Sequence, residues 1–217
     1  MTRRILLCAS LLLLAISPAS ATISFLIDGD SLKDSTGGAL GQSSLFMLVS
    51  STTNGTFEAI TEGSFTAVGS LLNADDRILF RGDLLGSPNV NGVLQVGTGA
   101  LTLNTGLLTN WTVGDPLALL WFPTPTAGSN TIPAGTKYGL YTNASAVDGS
   151  DPWITPADGT TDHSLLFYTT DGLNLGPGSN PASAGNASLT VAAVPEPSRS
   201  MLGLIGFGML ALRRRRR

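Results

Sequence analysis

His163 is the single histidine among 217 residues, and it stands in the run Asp162-His163-Ser164. These residue types belong to nucleophilic catalysis. Contiguous neighbours on a strand point to opposite faces, however, so the three cannot form a triad among themselves. No serine sits in a G-x-S-x-G frame. One histidine and one cysteine, Cys8, also exclude ordinary zinc spacing. Carboxylates are the stronger candidates. Asp148, Asp151, Asp158 and Asp162 crowd the stretch VDGSDPWITPADGTTDH (147–163), with Trp153 in its middle. Loop carboxylates beside glycine turns suit Ca²⁺, which takes hard oxygen ligands. A tryptophan flanked by polar groups suits a sugar ring. The plainer account is that Asp-Gly and Asp-Pro form turns and Trp153 caps the core. A second run, DGDSLKD (28–34), offers Asp28, Asp30 and Asp34, but places Leu32 where an EF-hand loop needs an oxygen. Carboxylate pairs for glycoside hydrolysis need a separation in space that sequence does not carry. Asn54, Asn110, Asn143 and Asn186 each head an N-x-[ST] pattern. Loops rich in Gly, Asn and Thr generate that pattern by chance.

The elements that must position these residues are strands. In TISFLID, Ile23, Phe25 and Ile27 share one face at a period of two. SLFMLVS (44–50), TFEAI (56–60), RILFR (77–81), GVLQV (92–96) and ALTLN (100–104) are further short strand candidates. LALLWF (117–122) is apolar on both faces and reads as a central, buried strand. KYGLYT (137–142), SLLFYTT (164–170) and ASLTVAA (187–193) complete the set. Gly, Pro, Asn and Asp fall between them at turn-like spacing. Helical periodicity is nearly absent, with one turn expected at GSLLNADD (69–76). About ten short strands with no βαβ rhythm imply an all-β domain, an antiparallel sandwich or barrel. No repeat of fixed period is present.

Charge is unevenly placed. Only Lys33, Arg77, Arg81 and Lys137 fall within residues 22–197, where all fifteen acids lie, giving that region a net charge of about −11. Such a surface excludes nucleic acid as a partner, because phosphates demand Lys and Arg. It favours solubility and permits cation binding. Residues 22–193 suffice for one domain with its own core.

The two termini carry address signals. Arg3 and Arg4 precede the apolar run Ile5–Ile16, which is followed by Pro18 and Ala19-Ser20-Ala21. This order is that of a secretory signal peptide over 1–21, read by Sec-type export machinery, with cleavage after Ala21 directed by Ala19 and Ala21. Cys8 would leave with it, so the mature chain would hold neither disulfide nor thiolate. At the other end, Pro195-Glu196-Pro197 precedes an apolar segment, Met201 to Leu212, and then Arg213, Arg214, Arg215, Arg216 and Arg217. At about 1.5 Å per residue the apolar part spans about 18 Å, short of a hydrocarbon core of about 30 Å. Extension back to residue 198 gives a membrane helix of about 198–212, with Arg199 snorkelling to the interface. The arginine cluster resists translocation and stays inside, leaving residues 22–193 outside. A GPI signal does not end in five arginines.

The tail 194–217, with its Pro-Glu-Pro, apolar helix and arginine cluster in that order, resembles the PEP-CTERM sorting signal of Gram-negative bacteria. The resemblance covers 24 of the 217 residues. It implies recognition by an exosortase, a membrane processing enzyme that cuts near the Pro-Glu-Pro motif, followed by release to the surface or the extracellular polymer. Together these features lead to the expectation of an exported, non-enzymatic cell-surface or extracellular-matrix protein without a cofactor, held in the membrane by its tail, with exopolysaccharide as a further partner. The alternative is a carbohydrate- or calcium-binding module built on 147–163. A hydrolase ranks behind both.

Overall fold

The two most apolar strand candidates lie side by side at the centre of the largest sheet. In a computed structural model, residues 22–63, 67–84, 92–126, 128–146, 149–169 and 185–194 are described. The 1–21 leader and the 195–217 tail, with every sorting residue named above, lie outside them. The described residues are all-β and contain no α-helix. No helix among them is long and apolar enough to cross a membrane. The strands are β1 (Thr22–Ile23), β2 (Phe25–Asp30), β3 (Leu45–Ser51), β4 (Asp76–Asp83), β5 (Leu94–Gly97), β6 (Leu101–Thr102), β7 (Leu117–Phe122), β8 (Lys137–Tyr141), β9 (His163–Tyr168) and β10 (Leu189–Thr190).

They form a five-stranded sheet in the order β10-β8-β7-β3-β4, a three-stranded sheet β5-β2-β9, and the pair β1-β6. β7 is indeed central, flanked by β3 and β8 in antiparallel register. Both β3 and β7 are buried along their whole length, and alternate residues serve two separate cores. Phe46, Leu48, Leu119 and Trp121 join Phe25, Ile27, Leu165 and Phe167 from the three-stranded sheet. Leu45, Met47, Val49, Leu120 and Phe122 point the other way, into a cluster closed by Ile60, Leu72, Ile132 and Val191. The strict period of two therefore divides one hydrophobic run between two layers. Opposite β3, Leu48 faces Phe80 and Val49 faces Ile78. Leu79 is the extra residue of a β-bulge. The bulge lets Ile78 enter the second core and Leu79 the first.

A column of rings ties the sheets together. Trp121 lies 5.6 Å from Phe167, Phe167 stacks on Tyr141 at 4.0 Å, and Tyr141 meets Trp153 edge-to-face at 5.2 Å. The Trp121 ring lies across its cross-strand neighbour Gly139. A Cβ there would come within 2.0 Å of it, so only glycine fits beneath the indole.

Three expectations need correction. The β2–β9 pair is parallel, with Phe25 facing His163 and Gly29 facing Phe167, so the smaller sheet is mixed. Side-chain alternation marks which face a residue takes but carries no strand direction. TFEAI forms no strand. Its backbone is drawn into side-chain bonds instead, Thr56 N donating to Asn54 Oδ1 and Glu58 N to Asp76 Oδ2. GSLLNADD forms no helical turn but a tight reversal. Leu71 bridges Arg77, Leu72 N donates to Asp76 O, and Asn73 Oδ1 accepts from the N–H groups of Asp75 and Asp76.

Candidate functional site

The segment from Gly149 to His163 is a strap laid along the outer edge of β9. Asp151 N donates to Ser164 O and Ser164 N returns a bond to Asp151 Oδ2, each at 2.8 Å. Leu166 N donates to Ser150 Oγ. The strap then crosses to the other sheet, where Leu117 N donates to Trp153 O and Trp153 N to Asn143 O. Thr155 Oγ1 accepts from Trp111 Nε1 at 2.7 Å, fastening a second buried indole.

Trp153 is fully buried. Of the two readings of Trp153, the burial matches the core cap rather than the sugar platform: the ring completes the aromatic column and presents no face to solvent. Its own N–H finds no hydrogen-bond acceptor among the described residues.

His163 is buried beneath the strap, its ring edge-on to Phe25 at 5.7 Å. Its Nε2 lies 2.9 Å from the carbonyl oxygen of Pro152. A carbonyl only accepts, so Nε2 must carry a proton. Its Nδ1 lies 3.4 Å from Asp151 Oδ2. Both ring nitrogens thus face fixed protein oxygens. The nitrogen bound to the Pro152 carbonyl is not available as a base, and the other faces the Asp151 carboxylate. Ser164 meets Asp151 through its backbone, and Asp162 engages Ser24, whose Oγ donates to Asp162 Oδ1 and accepts from Asp162 N. Within the contiguous Asp-His-Ser run, Asp162 therefore turns to Ser24, while His163 Nδ1 and Ser164 N both face Asp151 Oδ2.

Among the described residues, the acids of the strap form no metal-holding group. Asp151 is half-exposed on the β9 edge. Asp158 is exposed in a turn closed by Thr160 Oγ1 on Ala157 O, and that turn docks on β1 through Gly159 N and Thr22 O. Asp162 is exposed beside Ser24. Asp148 lies outside the described residues. Among the described residues, no group of three His, Cys, Asp or Glu side chains is arranged to hold a metal ion. In the 28–34 run, Leu32 is fully buried. Asp34 Oδ1 accepts from Thr36 Oγ1, Thr36 N and Gly38 N, and those bonds, the Thr36 hydroxyl first, hold its carboxyl below the usual range. This is an Asx turn satisfied from within.

A second acidic group escaped the sequence reading. At the β3–β4 corner, Asp75 Oδ2 accepts from Ser51 Oγ, Thr53 N and Asn54 N at 3.0–3.2 Å. Asp76 Oδ2 accepts from Glu58 N and from Asn73 Nδ2. Asn54 Nδ2 donates to Glu58 Oε1. Burial pushes the Asp76 carboxyl up to about 6, and the charges of Asp75 and Glu58 push the same way, against the bonds from Asn73 and Glu58 N. Its Oδ1 is buried and has no partner among the described residues. The sequence offers only the polar run Ser50 to Asn54 and the run NADD (73–76), which the β3–β4 pairing brings together.

The chain matches no protein-family model, no curated protein and no solved structure.

Proposed function

We propose that this is an exported, non-enzymatic surface or matrix protein, held in the membrane by residues 198–212 and processed by an exosortase-like enzyme near Pro195-Glu196-Pro197. One observation carries the proposal: the ordered tail of Pro-Glu-Pro, short apolar segment and five arginines, in a chain that opens with a signal-peptide pattern. The body between is read as a β-sandwich, its two larger sheets enclosing the first core. The engagement of both His163 nitrogens with Pro152 and Asp151 supports a non-catalytic role. The buried Trp153 ring weighs against a sugar-binding strap. The apolar segment 198–212 is short and contains Gly203, Gly206 and Gly208, which would make a helix there a weak permanent anchor.

The test is the mass of the mature protein from a processing-competent cell. Its N-terminus is expected at Thr22 and its C-terminus near Pro195–Pro197. Replacing Arg213 to Arg217 with Ser is expected to weaken retention and reduce cutting. A mature chain that keeps its tail through Arg217 would make this a plain single-pass membrane protein.

A further inference from the structure

The chain leaves the fold through residues 189–194, and that segment is held from two sides. β10 pairs with β8, Leu189 facing Tyr138 and Thr190 facing Lys137. Val191 N donates to Thr136 O at 2.9 Å, and its carbonyl accepts from Gly135 N at 3.0 Å. The partner then changes. Ala192 N donates to Ile60 O at 2.9 Å, and its carbonyl accepts from Glu62 N at 2.8 Å. Val194 N ends the series on Glu62 Oε1 at 2.8 Å. Between these bonds Val191 is almost wholly buried, in the core that also holds Met47, Ile60, Ile132 and Tyr138.

Extended peptides are recognised largely through their backbone N–H and C=O groups. In residues 191–194 many of those groups are already committed to the fold. Freeing them exposes Val191 and opens both the β8 edge and the 60–62 bridge, a sub-global opening rather than local fraying. From Pro195 to Ser200 there are six residues before the apolar segment begins. They span at most about 20 Å when extended.

We propose that this two-sided pairing is a brake on proteolysis: the fold confines cutting to the Val194–Pro195 bond and the residues beyond it that precede the membrane segment, through Pro197. Cutting breaks one amide C–N bond. Water supplies the hydroxyl of the new carboxyl group and the hydrogen of the new amine. The identity of the cellular enzyme rests on the sorting function proposed above; the brake rests on the 189–194 pairing alone. With the tail inserted from residue 198, the body also stays within about 15 Å of the membrane, since only four residue steps separate that residue from Val194.

The experiment is limited digestion of the full chain in detergent micelles with a broad-specificity protease, followed by mass measurement of the surviving body. Wild type is expected to give bodies ending at Val194 or later. Ala192→Pro deletes the N–H that reaches Ile60 O; it is expected to yield new cuts between Leu189 and Val194 and at least tenfold faster loss of the body. Glu62→Ala frees only Val194 N, and is expected to move the boundary by one or two residues with the body intact. A wild-type body that survives with its end between Leu189 and Ala193 overturns the brake, as does a folded Ala192→Pro chain with the wild-type boundary. If Ala192→Pro does not fold, the wild-type and Glu62→Ala boundaries decide. A cellular product that keeps its tail through Arg217 overturns the sorting function instead, and the in-vitro boundary still decides the brake.

Discussion

The strap over 149–163 and the β3–β4 corner are both acidic, yet they treat charge in opposite ways. In the strap, the described carboxylates face solvent wholly or in part. Asp151 has a side chain 49% exposed, and Asp158 and Asp162 face solvent. At the corner, Asp75 and Asp76 are 5% and 3% exposed, and Glu58 reaches them from another segment. The difference lies in donors. The strap spends its backbone N–H groups on β9 and the neighbouring loops. The corner turns Thr53 N, Asn54 N and Glu58 N, with the Ser51 hydroxyl, toward carboxylate oxygens. A buried carboxylate persists only where such donors meet it. Density of acids along the chain is thus a poor guide to where charge is buried.

The largest effect should come from the strap's apolar anchor rather than its acids. Trp153→Ala removes a fully buried indole and one end of the ring column. A loss of about 3–5 kcal/mol is expected, read from the denaturant midpoint. A loss below about 1 kcal/mol, together with sugar binding by the wild type, would return the strap to the ligand-binding class.

Next is the corner. Asp75→Ala strands Thr53 N and Asn54 N without their acceptor and leaves Ser51 Oγ with Asn54 Oδ1 alone. Expected destabilisation is about 2–4 kcal/mol, because bonds to an ionised group exceed neutral ones. Asp158→Ala, in the strap, should fall within about 0.5 kcal/mol of wild type. Similar losses at the two positions would erase the contrast between the regions.

Asp76 tests the same contrast through pH. Its folded carboxyl sits at about 6 against an ordinary 3.8, so the folded state binds the proton more tightly than the unfolded chain does. The contribution to stability is fully present below the unfolded value. It is lost as pH rises from about 4 through about 6. Asp76→Asn is expected to flatten that fall, measured as the difference in urea midpoint between wild type and variant from pH 4 to 7. Identical profiles for wild type and Asp76→Asn would mean that the corner carboxyl titrates as if in water.

What the sequence disclosed follows from which forces leave a local trace. LALLWF, apolar on both faces, marked a central buried strand, whereas SLFMLVS was legible only as a strand, and the structure buries it on both faces as well. Ile23, Phe25 and Ile27 fell on one face as expected and are all buried. Pairing direction left no trace, so the parallel β2–β9 match was invisible. TFEAI looked like a strand because its apolar spacing is right. Only the contact with Asp76, eighteen residues on, shows why its backbone is diverted. The acidic corner was hidden for the same reason, being assembled across a hairpin. Trp153 was ambiguous because polar neighbours in sequence accompany core anchors and binding platforms alike.

The smallest expected effect separates a backbone role from a ligand role at Asp162. This residue has φ +55°, a left-handed conformation that costs most L-residues about 1–2 kcal/mol and that Asn, Asp and Gly tolerate. Its exposed side chain makes one long bond, 3.3 Å, with Ser24 Oγ, while the shorter bond from Asp162 N to the same oxygen does not need the carboxylate. Asp162→Asn and Asp162→Gly should therefore lie within about 0.5 kcal/mol of wild type, and Asp162→Ala should lose about 1 kcal/mol. A calcium ligand would give a different order. Asn would then cost as much as Ala, and millimolar Ca²⁺ would raise the melting temperature of wild type but not of Asp162→Asn. Equal melting temperatures with and without Ca²⁺, combined with the Asn ≈ Gly > Ala order, would assign Asp162 to the turn that leads His163 into β9.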